Sequence, residues 1–247
     1  MVIPDAALDR APIAMRNFPQ AITARRAYRG CMTSRALAWE WIGCDGCENL
    51  ALDIGPDGIV AVGDIAASLG AEPFRLHYHL ACDSAWRFRA ASLSVERDDR
   101  KWTHRGSQSR EKTKTGGRTG GHERSHPVLE AAMPRALHIA RAADGAWRVN
   151  GEPRPDLAGA AAIDIMATPL TNTLPIRTLA FHPGVPIRVT VAYVTVPSLA
   201  VTTQEQEYTE LAPGRFRYRG LATGFTAELE VDDEGLVLRY GTIWRRV

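Results

Sequence analysis

The sequence has few cysteines, almost no net charge and no long apolar run, and each shortage argues against a class of protein. Only 4 of the 247 residues are cysteines, which argues against a disulfide-stapled secreted domain and favours reduced thiols. Lys and Arg number 30 against 28 Asp and Glu, and a net charge of +2 indicates no general affinity for nucleic acid or membranes. No stretch approaches the ~18 consecutive apolar residues of a membrane-spanning helix.

The first thirty residues also lack the pattern of an export signal. Asp5, Asp9 and Arg10 interrupt the early apolar stretch before a hydrophobic region can form. We therefore expect a cytoplasmic protein and interpret residues 1–33 as a tail. Hydrophobic residues make up 45% of the chain and charged residues 23%, which is typical of a globular protein, so residues 34–247 are expected to form the folded domain.

From Arg35 onward, apolar and polar residues alternate with the period of two that is typical of β-strands. Gly, Pro and Asp separate these stretches at close spacing, as in Gly55-Pro56-Asp57-Gly58, and a phase slip after Ala90 predicts a β-bulge. A further hairpin is predicted across Ala143-Asp144-Gly145. No long amphipathic helix is evident. The pattern therefore predicts a mainly β, antiparallel fold.

One basic, low-complexity segment interrupts this pattern, and we interpret residues 97–127 as an insertion. Residues 97–126 contain nine Lys and Arg and four Asp and Glu, giving +5, with Trp102 as the one large apolar side chain. Such a composition cannot bury enough surface to offset chain entropy, so disorder is expected. A solvated spacer is the favoured interpretation, and binding to an anionic lipid or nucleic acid is the alternative.

Two short motifs could hold a metal ion, but each has a simpler interpretation. Cys44-x-x-Cys47 lacks a second ligand pair at zinc spacing and flanks Asp-Gly between two β-like stretches, which favours a hairpin turn. His77-x-His79 places two imidazoles on one strand face, and a solvated face is favoured over a metal site. We predict no metal and no cofactor.

The run Thr168-Pro-Leu-Thr-Asn-Thr-Leu-Pro-Ile-Arg177 does not read as a simple strand. Pro169 and Pro175 each remove a backbone donor, while Thr and Asn side chains can replace backbone hydrogen bonds locally. We interpret the run as a specified, hydrogen-bonded crossing segment. A purely structural role and a ligand-facing role remain equally open.

This run resembles the hallmark of a bacterial family named “putative glycolipid-binding” proteins. Supporting matches follow in family order over most of the domain: Leu80-x-x-Asp83-x-x-Trp86-x-x-Arg89, Gly159 with Ile163-Asp164-Ile165, Ala192-Tyr193-Val194, Val196-Pro197, Gln206-x-Tyr208, Phe216-Arg217-Tyr218 and Val231-Asp232 through Gly235-Leu236-Val237. The chain departs from the family where Gly159-Ala160 and Ala162 replace a Gly-Cys pair and a first aspartate, so that Asp164 remains alone. It also reads Tyr240-Gly241-Thr242 where a Tyr-Pro-Gly type sequence is usual.

The resemblance implies a spiral β-roll, a large curled antiparallel sheet around an apolar interior, similar in architecture to lipoprotein-carrier proteins. It also implies a non-catalytic binding or carrier protein for a glycolipid or another acyl-chain ligand. Burial of a 12-carbon chain at ~0.8 kcal/mol per methylene would supply on the order of 10 kcal/mol before losses. As ligand-binding candidates we name Asn172 and Arg177 for the head group, and Trp39, Trp41, Trp86, Arg89, Tyr193, Phe216 and Phe225 around the chain.

The alternative is a small hydrolase or isomerase that acts on a lipid or sugar. It would use Asp164 or Asp83 together with a strand histidine. No recognisable nucleophile and base stand at useful spacing, so binding is favoured and no catalytic residue is assigned. We predict no nucleic-acid partner and no stable membrane insertion.

Overall fold

The computed structural model describes residues 32–43, 45–70, 72–97 and 135–247. These residues are mainly β and form one curled, unclosed sheet of 15 strands, which confirms the predicted fold class. The predicted tail lies outside the described residues except for Met32 and Thr33, and so does almost all of the predicted insertion. No helix within the described ranges has the length and apolarity needed to cross a membrane.

The first five strands follow one another as antiparallel hairpins. They are β1 (Thr33–Trp41), β2 (Gly46–Gly55), β3 (Gly58–Leu69), β4 (Glu72–Cys82) and β5 (Phe88–Arg97). The predicted Gly-Pro-Asp-Gly turn joins β2 to β3, and Gly58 in it has a φ of 140°. A Cβ at Gly58 would lie 2.5 Å from the carbonyl oxygen of Cys82, so only glycine fits there.

The chain then continues the sheet with β6 (Arg135–Arg141), β7 (Trp147–Val149) and β8 (Glu152–Pro153). The predicted hairpin is confirmed, because Ile139 of β6 pairs with Val149 of β7. A bulge is also present, but it lies just before Ala90 rather than after it, because Ala81 of β4 pairs with Ala90 while Cys82 pairs with Phe88. Strands β1–β8 are the N-terminal half of the sheet.

The C-terminal half begins with a 3₁₀ turn (Pro155–Leu157) and β9 (Ala162–Ile165), which forms a sheet edge. A second 3₁₀ turn (Leu170–Asn172) and the short helix α1 (Thr173–Thr178) follow. The remaining strands are β10 (Pro186–Val194), β11 (Val201–Ala212), β12 (Arg215–Gly220), β13 (Thr226–Val231), β14 (Val237–Tyr240) and β15 (Trp244–Arg246). Strand β10 is parallel to β9, and all the other neighbouring strands are antiparallel.

The two halves join where β15 pairs with β1. Residues paired across neighbouring strands share one face of a sheet, so the register defines a continuous inner face. Trp41 and Trp244 stack on this face across the join, with ring centroids 4.7 Å apart. Large apolar side chains fill most of the inner face, including Leu52, Ile65, Leu76, Ile139, Val191 and Leu229. The polar side chains among them therefore need a specific explanation.

Candidate functional site

The run between β9 and β10 forms the crossing segment, defined as residues 167–177. Two parallel neighbours cannot be joined by a tight turn, so the chain must cross the face of the sheet between them. It does so as the second 3₁₀ turn followed by α1. The segment is therefore not a strand, in agreement with the sequence analysis. Residues 167–175 are buried throughout, and the segment therefore lies against the inner face.

One buried carboxyl group on the N-terminal half of the sheet bonds the crossing segment. Thr168 donates its hydroxyl to Glu48 Oε1 at 2.8 Å, and the same oxygen accepts the hydroxyl of Tyr78. Thr168 Oγ1 also accepts the backbone N–H of Leu170 at 3.0 Å. Gly63 leaves room for the Tyr78 side chain to reach Glu48, since a Cβ on residue 63 would lie 2.1 Å from the Tyr78 ring. Glu48, Tyr78 and Thr168 form the Glu48 cluster.

The environment of Glu48 is unfavourable to charge. Its side chain is fully buried, and Oε2 has no hydrogen-bond partner among the described residues. Burial raises the pKa of Glu48 to about 7, although the hydrogen bonds from Tyr78 and Thr168 act in the opposite direction. Glu48 therefore exchanges a proton near neutral pH.

A second carboxyl group, on β9, bonds the crossing segment from the C-terminal half. Thr171 donates its hydroxyl to Asp164 Oδ1 at 2.8 Å, and Gln206 donates its amide to Oδ2 at 2.6 Å. Thr171 Oγ1 in turn accepts the backbone N–H of Ile165 at 3.3 Å. Asp164, Thr171 and Gln206 form the Asp164 cluster. Burial raises the pKa of Asp164, and the two hydrogen bonds oppose that rise.

An aromatic path runs from this cluster toward the surface. The rings of Tyr208 and Tyr218 are 5.3 Å apart, Tyr218 and Tyr240 are 5.7 Å apart, and Phe225 lies 6.2 Å from Tyr240. Exposure rises along the path, from 1% at Tyr208 and 7% at Tyr218 to 40% at Phe225. We call Tyr208, Tyr218, Tyr240 and Phe225 the aromatic path.

Tyr193 borders the Asp164 cluster from β10. It pairs with Asp164 across the parallel β9–β10 ladder and is half-buried. Burial, followed by the negative charge of Asp164, raises the pKa of Tyr193 to about 12, so its hydroxyl stays protonated and able to donate. A half-exposed phenol thus stands beside a carboxyl group.

The outer end of the crossing segment contacts the turn between β4 and β5. Asp83 accepts the backbone N–H groups of Ala85 and Arg87 and the guanidinium of Arg89 at 2.8 Å. Trp86 in this turn has a φ of 64°, and the guanidinium of Arg177 lies 5.9 Å from its ring centroid. The Asp83-x-x-Trp86-x-x-Arg89 motif therefore builds a turn that receives Arg177.

The structure separates the two residues that we predicted nearest a head group. Asn172 is buried, donates to the carbonyl of Pro169 at 3.3 Å and accepts the hydroxyl of Tyr208 at 2.9 Å. Arg177 is exposed and lies over Trp86, with its stem against Gly235. Asn172 thus adjoins the aromatic path, and Arg177 does not belong to it.

The predicted wall residues are also distributed among different environments. Trp39 is fully buried and donates its indole N–H to the carbonyl of Val237 at 2.8 Å. Phe216 is buried, with its ring 5.0 Å from that of Phe181. Two candidates combine an apolar ring with access to solvent: Tyr193, beside the Asp164 cluster, and Phe225, at the outer end of the aromatic path.

Sequence reasoning did not single out Glu48, Tyr78 or Tyr240 as site residues. Glu48 did carry a signal, because it has the same phase as Leu50 and Leu52 in β2 and so points inward with them. A carboxyl group at an inward position of an otherwise apolar strand face predicts a buried polar partner. Gln206 was noted as a family match, and no role was assigned to it.

The residues of the alternative interpretations have ordinary partners. His77 Nδ1 lies 3.1 Å from Asp64 Oδ2 on a half-exposed face. The carboxylate of Asp83 accepts hydrogen bonds from the turn between β4 and β5 and from Arg89. Cys44 lies outside the described residues, while β1 and β2 form the predicted hairpin around it. The described residues contain no group of three or more His, Cys, Asp or Glu arranged to hold a metal ion.

Comparisons with known proteins agree with this architecture. A family model described as “Putative glycolipid-binding” matches residues 36–116 and 117–246. The crystal structure of a DUF1089 family protein from Pseudomonas aeruginosa is similar, with a TM-score of 0.62 and 27% sequence identity over 90% of this chain and 98% of that one. No curated protein matches the sequence. Since the family model covers well over half of the chain, the chain belongs to the Putative glycolipid-binding family.

Proposed function

We propose that this protein is a non-catalytic binding protein for a glycolipid or a similar acyl-chain ligand, with a hydroxyl-rich head group beside Asp164 and Tyr193. The observation that carries the proposal is the aromatic path, which leads from the exposed ring of Phe225 to the partly buried Asp164 cluster. The family description gives independent support for a glycolipid as the ligand. We also propose that the protein acts in the cytoplasm.

The chemistry of the path suits an amphiphilic ligand. Tyrosine rings offer apolar surface together with a hydroxyl that can donate or accept, and a carboxylate accepts hydrogen bonds from sugar hydroxyls. Asp164 already accepts two hydrogen bonds, and each of its oxygens has a second lone pair available. The site thus combines apolar contact with hydrogen-bond acceptors over a short distance.

The same arrangement disfavours anionic head groups. A phosphate or sulfate beside Asp164 would meet like charge whenever that carboxyl group is ionised, in a partly buried site where screening by water is weak. We therefore expect neutral sugars to bind more tightly than anionic lipids of the same chain length.

Two experiments test the proposal. Mass spectrometry of an organic extract of the purified protein should reveal co-purified acyl species. Titration with octyl glucoside below its micelle concentration, followed by calorimetry, should give saturable binding that Phe225→Ser weakens about 5- to 30-fold, because about 1–2 kcal/mol of ring contact is lost.

Val62→Ser is the matched control, since Val62 is an apolar side chain of similar exposure (46%) on the N-terminal half of the sheet. It should leave octyl glucoside binding unchanged. Equal affinities for wild type and Phe225→Ser, or an extract free of acyl species together with no saturable binding, would contradict the proposal.

A further inference from the structure

The carboxyl group of Glu48 is only half satisfied by the structure. Both hydrogen bonds to it, from Tyr78 and Thr168, reach Oε1, while Oε2 is buried without a partner among the described residues. A carboxylate buried in this way carries a large desolvation cost, because water cannot reach the charged oxygen. A neutral carboxylic acid at the same position costs much less.

The crossing segment forms one side of this burial. Thr168 of the crossing segment contacts Glu48 through its hydroxyl, whereas Trp39 of β1 and Ile65 of β3 are the cross-strand neighbours of Glu48. Water can therefore reach Oε2 if the segment moves away from β2 and β4, and the desolvation cost of the charged form then disappears.

We propose that Glu48 is a proton-controlled latch for the crossing segment: with a proton on Oε2 the segment is held against β2 and β4, and loss of that proton favours its release. The latch goes beyond ligand binding, since it needs no ligand to operate. It would connect the pH around the protein to access to the inner face.

The neighbours of Glu48 leave it as the group that titrates. Trp39 of β1 and Ile65 of β3 cannot ionise, and Thr168 of the crossing segment stays neutral. Tyr78 of β4 is the titratable side chain in contact with Glu48, and burial raises the pKa of Tyr78 well above its ordinary value, so it stays neutral too. The carboxyl is thus the one group in the Glu48 cluster that changes charge near neutral pH.

The size of the effect follows from linkage. With the pKa of Glu48 at about 7 in the closed state and at its ordinary 4.5 in the open state, opening becomes easier as pH rises through this window. Between pH 5 and pH 8.5 the opening equilibrium should increase by roughly 50- to 100-fold and then level off. The closed state is favoured in acid.

Hydrogen exchange of the full-length protein tests the latch. Exchange of the peptide covering residues 166–178 is measured by mass spectrometry at pH 5 and pH 8.5 and corrected for the intrinsic exchange rate. We expect its protection to fall by tens of fold at the higher pH in wild type, while Glu48→Gln, which cannot ionise, shows no such fall. Glu40→Gln, an exposed carboxylate on β1, is the control and should behave as wild type.

A pH-independent protection in wild type, or the same fall in Glu48→Gln, would overturn the proposal. Tyr78→Phe provides a second readout that does not depend on removing the carboxyl. Its hydroxyl donates to Glu48 and favours the charged form, so its loss should shift the midpoint of the protection change to higher pH. A shift to lower pH, or an unchanged midpoint, would also overturn the latch.

Discussion

Glu48 and Asp164 both bond the crossing segment through a threonine hydroxyl, but their surroundings differ. Glu48 lies in the apolar part of the inner face. Its Oε1 accepts two hydrogen bonds, and its Oε2 accepts none among the described residues. Asp164 has a donor on each oxygen and stands beside the half-exposed Tyr193 and the aromatic path. One segment is thus held by two carboxyl groups in unlike environments.

The difference suggests a division of roles between the two halves of the sheet. An unpaired, fully buried oxygen makes Glu48 sensitive to protons and keeps it away from ligands. Asp164 is only partly buried, and the second lone pair on each of its oxygens can accept further hydrogen bonds from a ligand. The environment, more than the residue type, sets what a carboxyl group does here.

The largest expected effect is a pH dependence of stability that requires Glu48. The pKa of Glu48 is raised from 4.5 to about 7, so its contribution to stability is fully present below pH 4.5 and is lost as pH rises through 7. Urea unfolding should show wild type losing about 2.5 kcal/mol relative to Glu48→Gln between pH 5 and pH 8.5.

Burial lowers the pKa values of His79 and His138, so these histidines also make stability depend on pH in acid. Their contribution is the same in wild type and in Glu48→Gln. The difference between wild type and Glu48→Gln therefore isolates the carboxyl. Parallel pH profiles for the two proteins would contradict the assigned role of Glu48.

Asn172→Ala should lower stability by about 1–2 kcal/mol, because the hydroxyl of Tyr208 and the carbonyl of Pro169 lose a buried partner. Octyl glucoside binding by the folded fraction should change little. Chemical denaturation gives the first quantity and calorimetry the second. A loss of binding without a loss of stability would instead place Asn172 in contact with the ligand.

Arg177→Ala should cost less than about 1 kcal/mol, since the guanidinium that lies over the buried ring of Trp86 is itself exposed to solvent. Binding should remain unchanged, because Arg177 lies outside the aromatic path. Arg217→Ala, an exposed arginine on β12, serves as the comparison for removal of a surface charge. Weaker ligand binding by Arg177→Ala alone would support the prediction that Arg177 contacts the head group.

The smallest effect is expected from shortening the connection between β5 and β6. Val95 pairs with Arg135, so replacing residues 98–132 by Asn-Gly would close the hairpin with a two-residue turn. The melting temperature should stay within a few degrees, because a change in loop length alters closure entropy by only ~1 kcal/mol. A cooperative loss of more than ~3 kcal/mol would show that the segment packs as structure.

The local parts of this fold were predictable from sequence, because strand alternation and turn residues act over a few positions. The strand faces, the Gly-Pro-Asp-Gly turn and the existence of a bulge in the β4–β5 pair all follow from such patterns. The pairing of β1 with β15 does not, since nothing local specifies a contact between the two ends of the domain. The resemblance to a family implied a curled sheet, but it did not specify this pairing.

The candidate site was predictable only in part, for the same reason. The crossing segment was identified as hydrogen-bonded, but its partners Glu48, Tyr78 and Gln206 are distant in sequence. The residue types Asn172 and Arg177 suggested a head-group site, whereas their exposure and partners are set by tertiary packing. Glu48 alone could have been recognised from its inward phase in β2.

The most direct test of the contrast between the two carboxyl groups is a titration of Glu48 itself. Carbon-13 NMR of the side-chain carboxyl, assigned by comparison with Glu48→Gln, reports its protonation between pH 4 and pH 9. The structure predicts a midpoint near 7, well above the ordinary value of 4.5, because the group is buried with one oxygen unpaired. A midpoint close to 4.5 would mean that water or another donor reaches Oε2, and it would contradict the account.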